Sequence, residues 1–123
     1  MTYTNIAIIL LSVSLNAFAQ IFLKKGADAC LANRLVNLET LLLCVSNLYF
    51  WLGFLCYAIS ILSWIFVLSK MNVSLAYPFL AFGFVLSIVL AYVLLGEAIT
   101  LSKIAAIFFI CVGLIILSLG AQK

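Results

Sequence analysis

An all-α integral membrane bundle of four transmembrane helices is the fold class this sequence predicts. Three observations carry that expectation. The 123 residues are 69% hydrophobic and only 7% charged. The mean hydropathy is +1.44. Four long stretches contain no charged side chain. A soluble domain of this size leaves much of its surface in water and has nowhere to hide so much apolar area. A bilayer core instead asks for about 20 apolar residues per helix. The chain reads as one small domain, residues 1–123, with spans at about 3–23, 47–69, 73–95 and 102–121 and no room for a separate soluble part.

The first span is uncharged from Met1 to Leu23, yet it carries Ser12, Asn16 and Gln20 four residues apart, leading to Lys24. On a helix that spacing sets all four on one gently drifting face. Lipid does not reward such a face, so it lines a cavity or meets another helix. The span is not read as a cleaved leader: no positive residue precedes its long apolar core, although Ala17-Phe18-Ala19 imitates a cleavage site.

Lys24-Lys25-Gly26 then reads as the end of the first helix, with basic residues and a glycine stop. Beyond it Leu35, Leu38, Leu41 and Leu42 recur at helical spacing among Arg34, Asn37 and Glu39. This stretch is either an amphipathic piece at the membrane surface or an extension of the second helix. The run Thr40 to Ser69 is longer than a span needs, so its helix begins near Asn47. Met71 to Gly96 and Ile104 to Gln122 form the third and fourth runs, and the short links around Lys70 and Glu97 to Lys103 make sequential helices antiparallel neighbours.

Orientation is weakly encoded. Lys24, Lys25, Arg34 and Lys103 lie on the side of the first and third links, against Lys70 and Lys123 on the side of both termini. That difference biases both termini toward the outside of the cytoplasm, by a margin small enough to permit insertion both ways.

Several function classes lack their chemistry. There is no histidine among four cysteines and three carboxylates, and no C-x-x-C pair, so metal-ligand spacings are absent and neither metal nor cofactor is expected. Asp28, Glu39 and Glu97 pair in sequence with no base, the serines sit in no nucleophile motif, and no glycine loop suits a phosphate, so an enzyme is not expected. No basic run suits nucleic acid. Cys56 and Cys111 fall within spans, where free cysteine behaves as a small hydrophobe. Cys30 and Cys44 lie in the first link and pair only if it faces an oxidising space.

Taken together, four short helices, the pattern around Lys24 and the run Leu75-Ala76-Tyr77-Pro78 resemble the small multidrug resistance branch of the drug/metabolite transporter superfamily, over nearly the whole chain. Within it the chain is most similar to the four-helix subunits of the undecaprenyl-phosphate aminoarabinose flippase. Gln20 stands four residues before Lys24, Trp64 comes late in the second span, Ala76-Tyr77-Pro78 opens the third, and Glu97 follows it in Leu95-Gly96-Glu97. Drug-exporting members resemble the chain through Tyr57 and Ile110-Cys111-Val112-Gly113, but they carry a buried Glu where Asn16 stands, and a Trp early in the third helix near Leu80. An amide does not titrate, which turns the resemblance away from proton-coupled export of cations.

The resemblance implies an inner-membrane transporter that moves a polyprenyl-phosphate-linked sugar for envelope glycan (lipopolysaccharide) modification. Carrying an anionic head through hydrocarbon unaided means desolvating a charge, at great cost. Lys24 is then the phosphate contact, and Gln20, Asn16 and Ser12 exchange hydrogen bonds with sugar hydroxyls. Tyr57, Ser60 and Trp64, on one helical face, and Tyr77 suit a surface that is part sugar and part lipid. Glu97 is a candidate gating residue. Each has a plainer reading. Lys24 snorkels to the headgroups, the amides bond a neighbouring helix, the aromatics anchor at the interface, and Glu97 sits in a solvated turn.

Gly83, Ser87 and Ala91 repeat every four residues on the third span, a seam that allows close helix approach. Ala106, Gly113 and Gly120 repeat every seven on the fourth. By resemblance the fourth helix builds a dimer, either an antiparallel homodimer or a heterodimer with a related four-helix subunit, and two states would give alternating access. The partners expected are thus membrane lipid, the lipid-linked sugar and a second subunit. Two other readings stand beside this one: a small exporter of drugs or polar metabolites, and a non-transporting scaffold subunit for a membrane glycosyltransferase.

Overall fold

The computed structural model describes residues 3–31 and 35–120. Arg34 and Lys123, two charges of the orientation count, lie outside the described residues, as does position 121 at the end of the fourth expected span. The described chain is all-helical: α1 (Tyr3–Leu31), α2 (Leu38–Val45), α3 (Leu48–Leu68), α4 (Val73–Leu95) and α5 (Leu101–Gly120). Among the described residues α1, α3 and α4 are each long and apolar enough to cross a membrane, and α5 is apolar over Leu101–Leu117.

The main departure from expectation lies after Lys24. The first helix does not stop at Gly26 but continues to Leu31. Two local causes are visible. Lys24 Nζ pairs with Asp28 Oδ1 at 2.9 Å, an i,i+4 bridge across the expected break. Gly26 is needed for proximity instead of termination: a Cβ there would lie 3.1 Å from the backbone N of Phe50, at the start of α3. The longer helix brings Cys30 to Cys44, and the two form a disulfide with Cα atoms 5.3 Å apart. The small-hydrophobe reading therefore describes only Cys56 and Cys111, which are free.

The leucine-rich stretch is neither a simple extension of the second span nor continuous with it. Asn37 opens α2 with a reciprocal cap, its Oδ1 accepting from Thr40 N while Thr40 Oγ1 accepts from Asn37 N, both at 2.9 Å. After a turn at Ser46, Asn47 caps α3 by accepting from Tyr49 N at 2.8 Å. Thr40 and Cys44 face inward, and Leu38, Leu41 and Leu42 are exposed. The stretch is thus a short helix of its own, so the described residues form five helices, four of them near the positions of the expected spans.

Helix α1 is the centre of the structure. It packs against α3 and α4, with α2 across one end, and among the described residues α5 packs on α4 alone. Two glycines permit the close contacts. A Cβ at Gly53 would lie 2.9 Å from Leu23 N and 3.1 Å from Ala19 O, and one at Gly83 would lie 2.5 Å from Val13 Cγ1. The buried cluster is Ile9, Val13, Val67 and Ala76, with Trp64 and Phe79 packed on it. Outside it the surface is strongly apolar, with Phe84, Phe108 and Phe109 well exposed. So large an apolar exterior suits lipid and would be a liability in water. Gly96 ends α4 in the left-handed conformation (φ 69°), so Glu97 N can reach back to the carbonyl of Ala91. Pro78 lies inside α4, in its second turn instead of at the helix start.

Candidate functional site

The polar stripe of α1 borders three adjoining cavities. The first, about 240 Å³, gathers Ser12 and Asn16 from α1, Tyr57, Ser60 and Trp64 from α3, and Tyr77 from α4. A narrower one of about 60 Å³ follows, between Asn16 and Gln20 on one side and Gly83 and Ser87 on the other. The third, again about 240 Å³, is bordered by Gln20, Lys24, Ser87, Glu97 and Lys103. Asn16 is common to the first two, and Gln20 and Ser87 to the last two. From Ser12 to Lys24 the stripe rises roughly 18 Å along the helix axis, more than half of a hydrocarbon core of about 30 Å.

All eight residues expected to meet a substrate, together with Glu97, thus border this track. They differ in how much of their chemistry is free. Ser12 and Ser60 are buried, and each hydroxyl donates to the other's backbone carbonyl, at 2.8 and 2.9 Å. Their donors are committed to joining α1 to α3, and only hydroxyl lone pairs remain for a guest. Asn16 is half-buried and Gln20 exposed, linked by one long bond of 3.4 Å from Gln20 Nε2 to Asn16 Oδ1. That leaves both donors of Asn16 and the acceptor oxygen of Gln20 without a partner among the described residues. Tyr57 and Tyr77 are exposed at the rim, and Trp64 is half-buried behind them.

The charged end holds two ammonium groups. Lys24 is paired with Asp28 at 2.9 Å. Lys103 sits 3.9 Å from Glu97 and donates to the carbonyl of Ala98 at 3.1 Å. All four side chains remain about half exposed, at 52%, 56%, 45% and 44%. Exposed ion pairs of this kind contribute little and exchange partners easily, so an incoming anion competes only against weak bonds. Aliphatic side chains of Ile88, Leu95 and Ile99 complete this cavity, which therefore sets two ion-paired lysines and the carboxylate of Glu97 beside an apolar wall.

Sequence reasoning missed Lys103, Ser87 and Asp28 as site residues. Asp28 stands four residues after Lys24, a spacing hidden by treating Gly26 as a stop. Ser87 belongs to the small-residue seam, all of which turns toward α1: Gly83 meets Val13, and Ser87 and Ala91 border the charged cavity. Lys103 carries no sequence signal for this role, because only the return of the α4–α5 connection brings it opposite Lys24. Ala106, Gly113 and Gly120 are elsewhere, exposed on α5, and a Cβ at either glycine would meet nothing within 4 Å. Among the described residues no group of three or more His, Cys, Asp or Glu is placed to hold a metal ion.

No protein-family model matches this chain, and no match is found among curated proteins or among solved structures.

Proposed function

We propose that the chain is a four-span subunit of a bacterial inner-membrane flippase, which moves a polyprenyl-phosphate-linked monosaccharide by alternating access for envelope glycan modification. The observation that carries this reading is the track along α1, neutral and aromatic at one end and charged at the other, where Lys24 and Lys103 each stand beside a carboxylate. Sugar hydroxyls find amides and tyrosines at Asn16, Gln20, Tyr57 and Tyr77. Phosphate oxygens find Lys24, with Asp28 displaced. The first isoprene units find Ile88, Leu95 and Ile99, which leaves the tail in lipid. The multidrug-exporter reading is weaker, because no carboxylate borders the neutral cavity to take up a proton or a cationic drug. The scaffold reading gives the track no task.

In this proposal the subunit works as a dimer through α5, which among the described residues packs on α4 alone. The test is binding of a labelled polyprenyl-phosphate sugar to purified protein in lipid. Lys24→Ala should weaken binding about 10- to 100-fold, the worth of roughly 1.5–3 kcal/mol for a hydrogen bond to a charged group, and Lys24→Arg should retain most of it. Unchanged binding in Lys24→Ala would remove the reading. Proton-dependent uptake of a quaternary amine into vesicles would favour the exporter. Intact sugar modification in Lys24→Ala cells, with loss on disruption of α5, would favour the scaffold.

A further inference from the structure

The Cys30–Cys44 disulfide carries information about the compartment it faces. Cys30 lies in the last turn of α1 and Cys44 in the last turn of α2. The same end of the molecule holds the start of α3, where Phe50 meets Gly26. It also holds the α4–α5 connection, because Glu97 and Lys103 border one cavity with Lys24. The α3–α4 connection around Lys70 and the beginning of α1 are at the opposite end, since Ile9 packs with Val67 and Ala76. A structural disulfide persists in oxidising spaces and is rare in the cytosol.

We infer that the disulfide-bearing end, and with it the Lys24–Lys103 cavity, faces the extracytoplasmic side of the membrane in every copy, and that the α3–α4 connection faces the cytoplasm. The pair forms by thiol–disulfide exchange with an extracytoplasmic disulfide donor. Cys30 and Cys44 together give up two protons and two electrons, one sulfur–sulfur bond forms between them, and the donor's own disulfide is reduced to two thiols.

This orientation runs against the lysine and arginine count, which favours the same end for the cytoplasm. The count is a small bias, four against two with the N-terminal amine added to the minority side. Residence of the thiols in a reducing space would instead leave the bond unformed. The bond does not drive insertion but reports the side on which the thiols came to rest, and we weigh that report above a small charge bias. A population inserted equally in both directions would hold half its cysteines in the cytoplasm, so an antiparallel pair built from two oxidised copies of this chain is excluded. The inference concerns which way the chain lies and holds for any cargo.

The experiment uses the full chain with Cys56→Ala and Cys111→Ala, in right-side-out membrane vesicles. Denaturation in a polymer-linked maleimide should give no mass shift before reduction and a two-adduct shift in all copies after it. In a variant lacking all four native cysteines, Thr100→Cys should react fully with a membrane-impermeant maleimide from outside, and Lys70→Cys only after permeabilisation. Half-labelling at Thr100→Cys, with half the copies carrying free thiols, would overturn the inference in favour of mixed insertion. Labelling of Lys70→Cys from outside would reverse it. Free thiols in every copy would overturn it regardless of the labelling side. None of these readings depends on transport, so failure here and failure of the flippase reading are distinguishable.

Discussion

The hydroxyls of Ser12 and Ser60 each donate across the α1–α3 contact to the other's carbonyl. Ser12→Ala and Ser60→Ala should each cost about 0.5–1.5 kcal/mol of stability, the usual net worth of such a bond, measured as unfolding of the purified protein in detergent. The double variant should show coupling, since the two bonds bridge one contact. The four-residue rhythm from Ser12 to Lys24 was legible in the sequence because an apolar helix makes every polar position conspicuous. What Ser12 touches was not legible. Its partner is set by the register of α1 against α3, and that register depends on the approach at Gly26 and Gly53, which no local spacing encodes. Lys103 was hidden for a similar reason: it becomes a neighbour of Lys24 only through the course of the chain after Gly96.

Helix α4 and helix α5 use their small residues for different purposes. Gly83 turns toward α1, where a Cβ would crowd Val13. Gly83→Val should therefore destabilise the subunit by about 1–3 kcal/mol through overpacking and narrow the passage between the neutral and the charged cavity. Gly113 faces open space within the subunit, so Gly113→Ala should leave subunit stability unchanged or raise it by up to about 1 kcal/mol through helix propensity. If α5 builds a dimer, Gly113→Leu should reduce association, read as the dimer fraction in detergent by light scattering, while helical content by circular dichroism stays constant. Repeats of four and of seven were both visible in the sequence, but only the packing separates an intramolecular seam from a free one. The boundaries at Asn47 and Gly96 were more readable than the contacts, because they lie where uncharged runs begin and end, whereas the cap at Asn37 was not read as a helix start. Gly26 misled for the converse reason: glycine serves close approach as well as termination, and Phe50 is too distant in sequence to announce itself.

At the scale of the whole molecule, α1 acts as a mast on which α3 and α4 lean, and among the described residues α5 is held by α4 alone, with an apolar cavity of about 300 Å³ between them. Its two poles are built differently. One is riveted by Cys30–Cys44. At the other, Pro78 supplies no amide hydrogen for the carbonyl of Ser74, so the opening stretch of α4 lacks one rung of its ladder. Backbone amides of Ala76 and Tyr77 should exchange with deuterium faster than those of residues 26–31, and Pro78→Ala should slow them; equal protection in the parent protein would show both poles to be alike. Tyr77 lies on this stretch, beside the neutral cavity. A bend at that missing rung would carry Tyr77 across the mouth of the neutral cavity, while the disulfide ties the far end of α1 to α2.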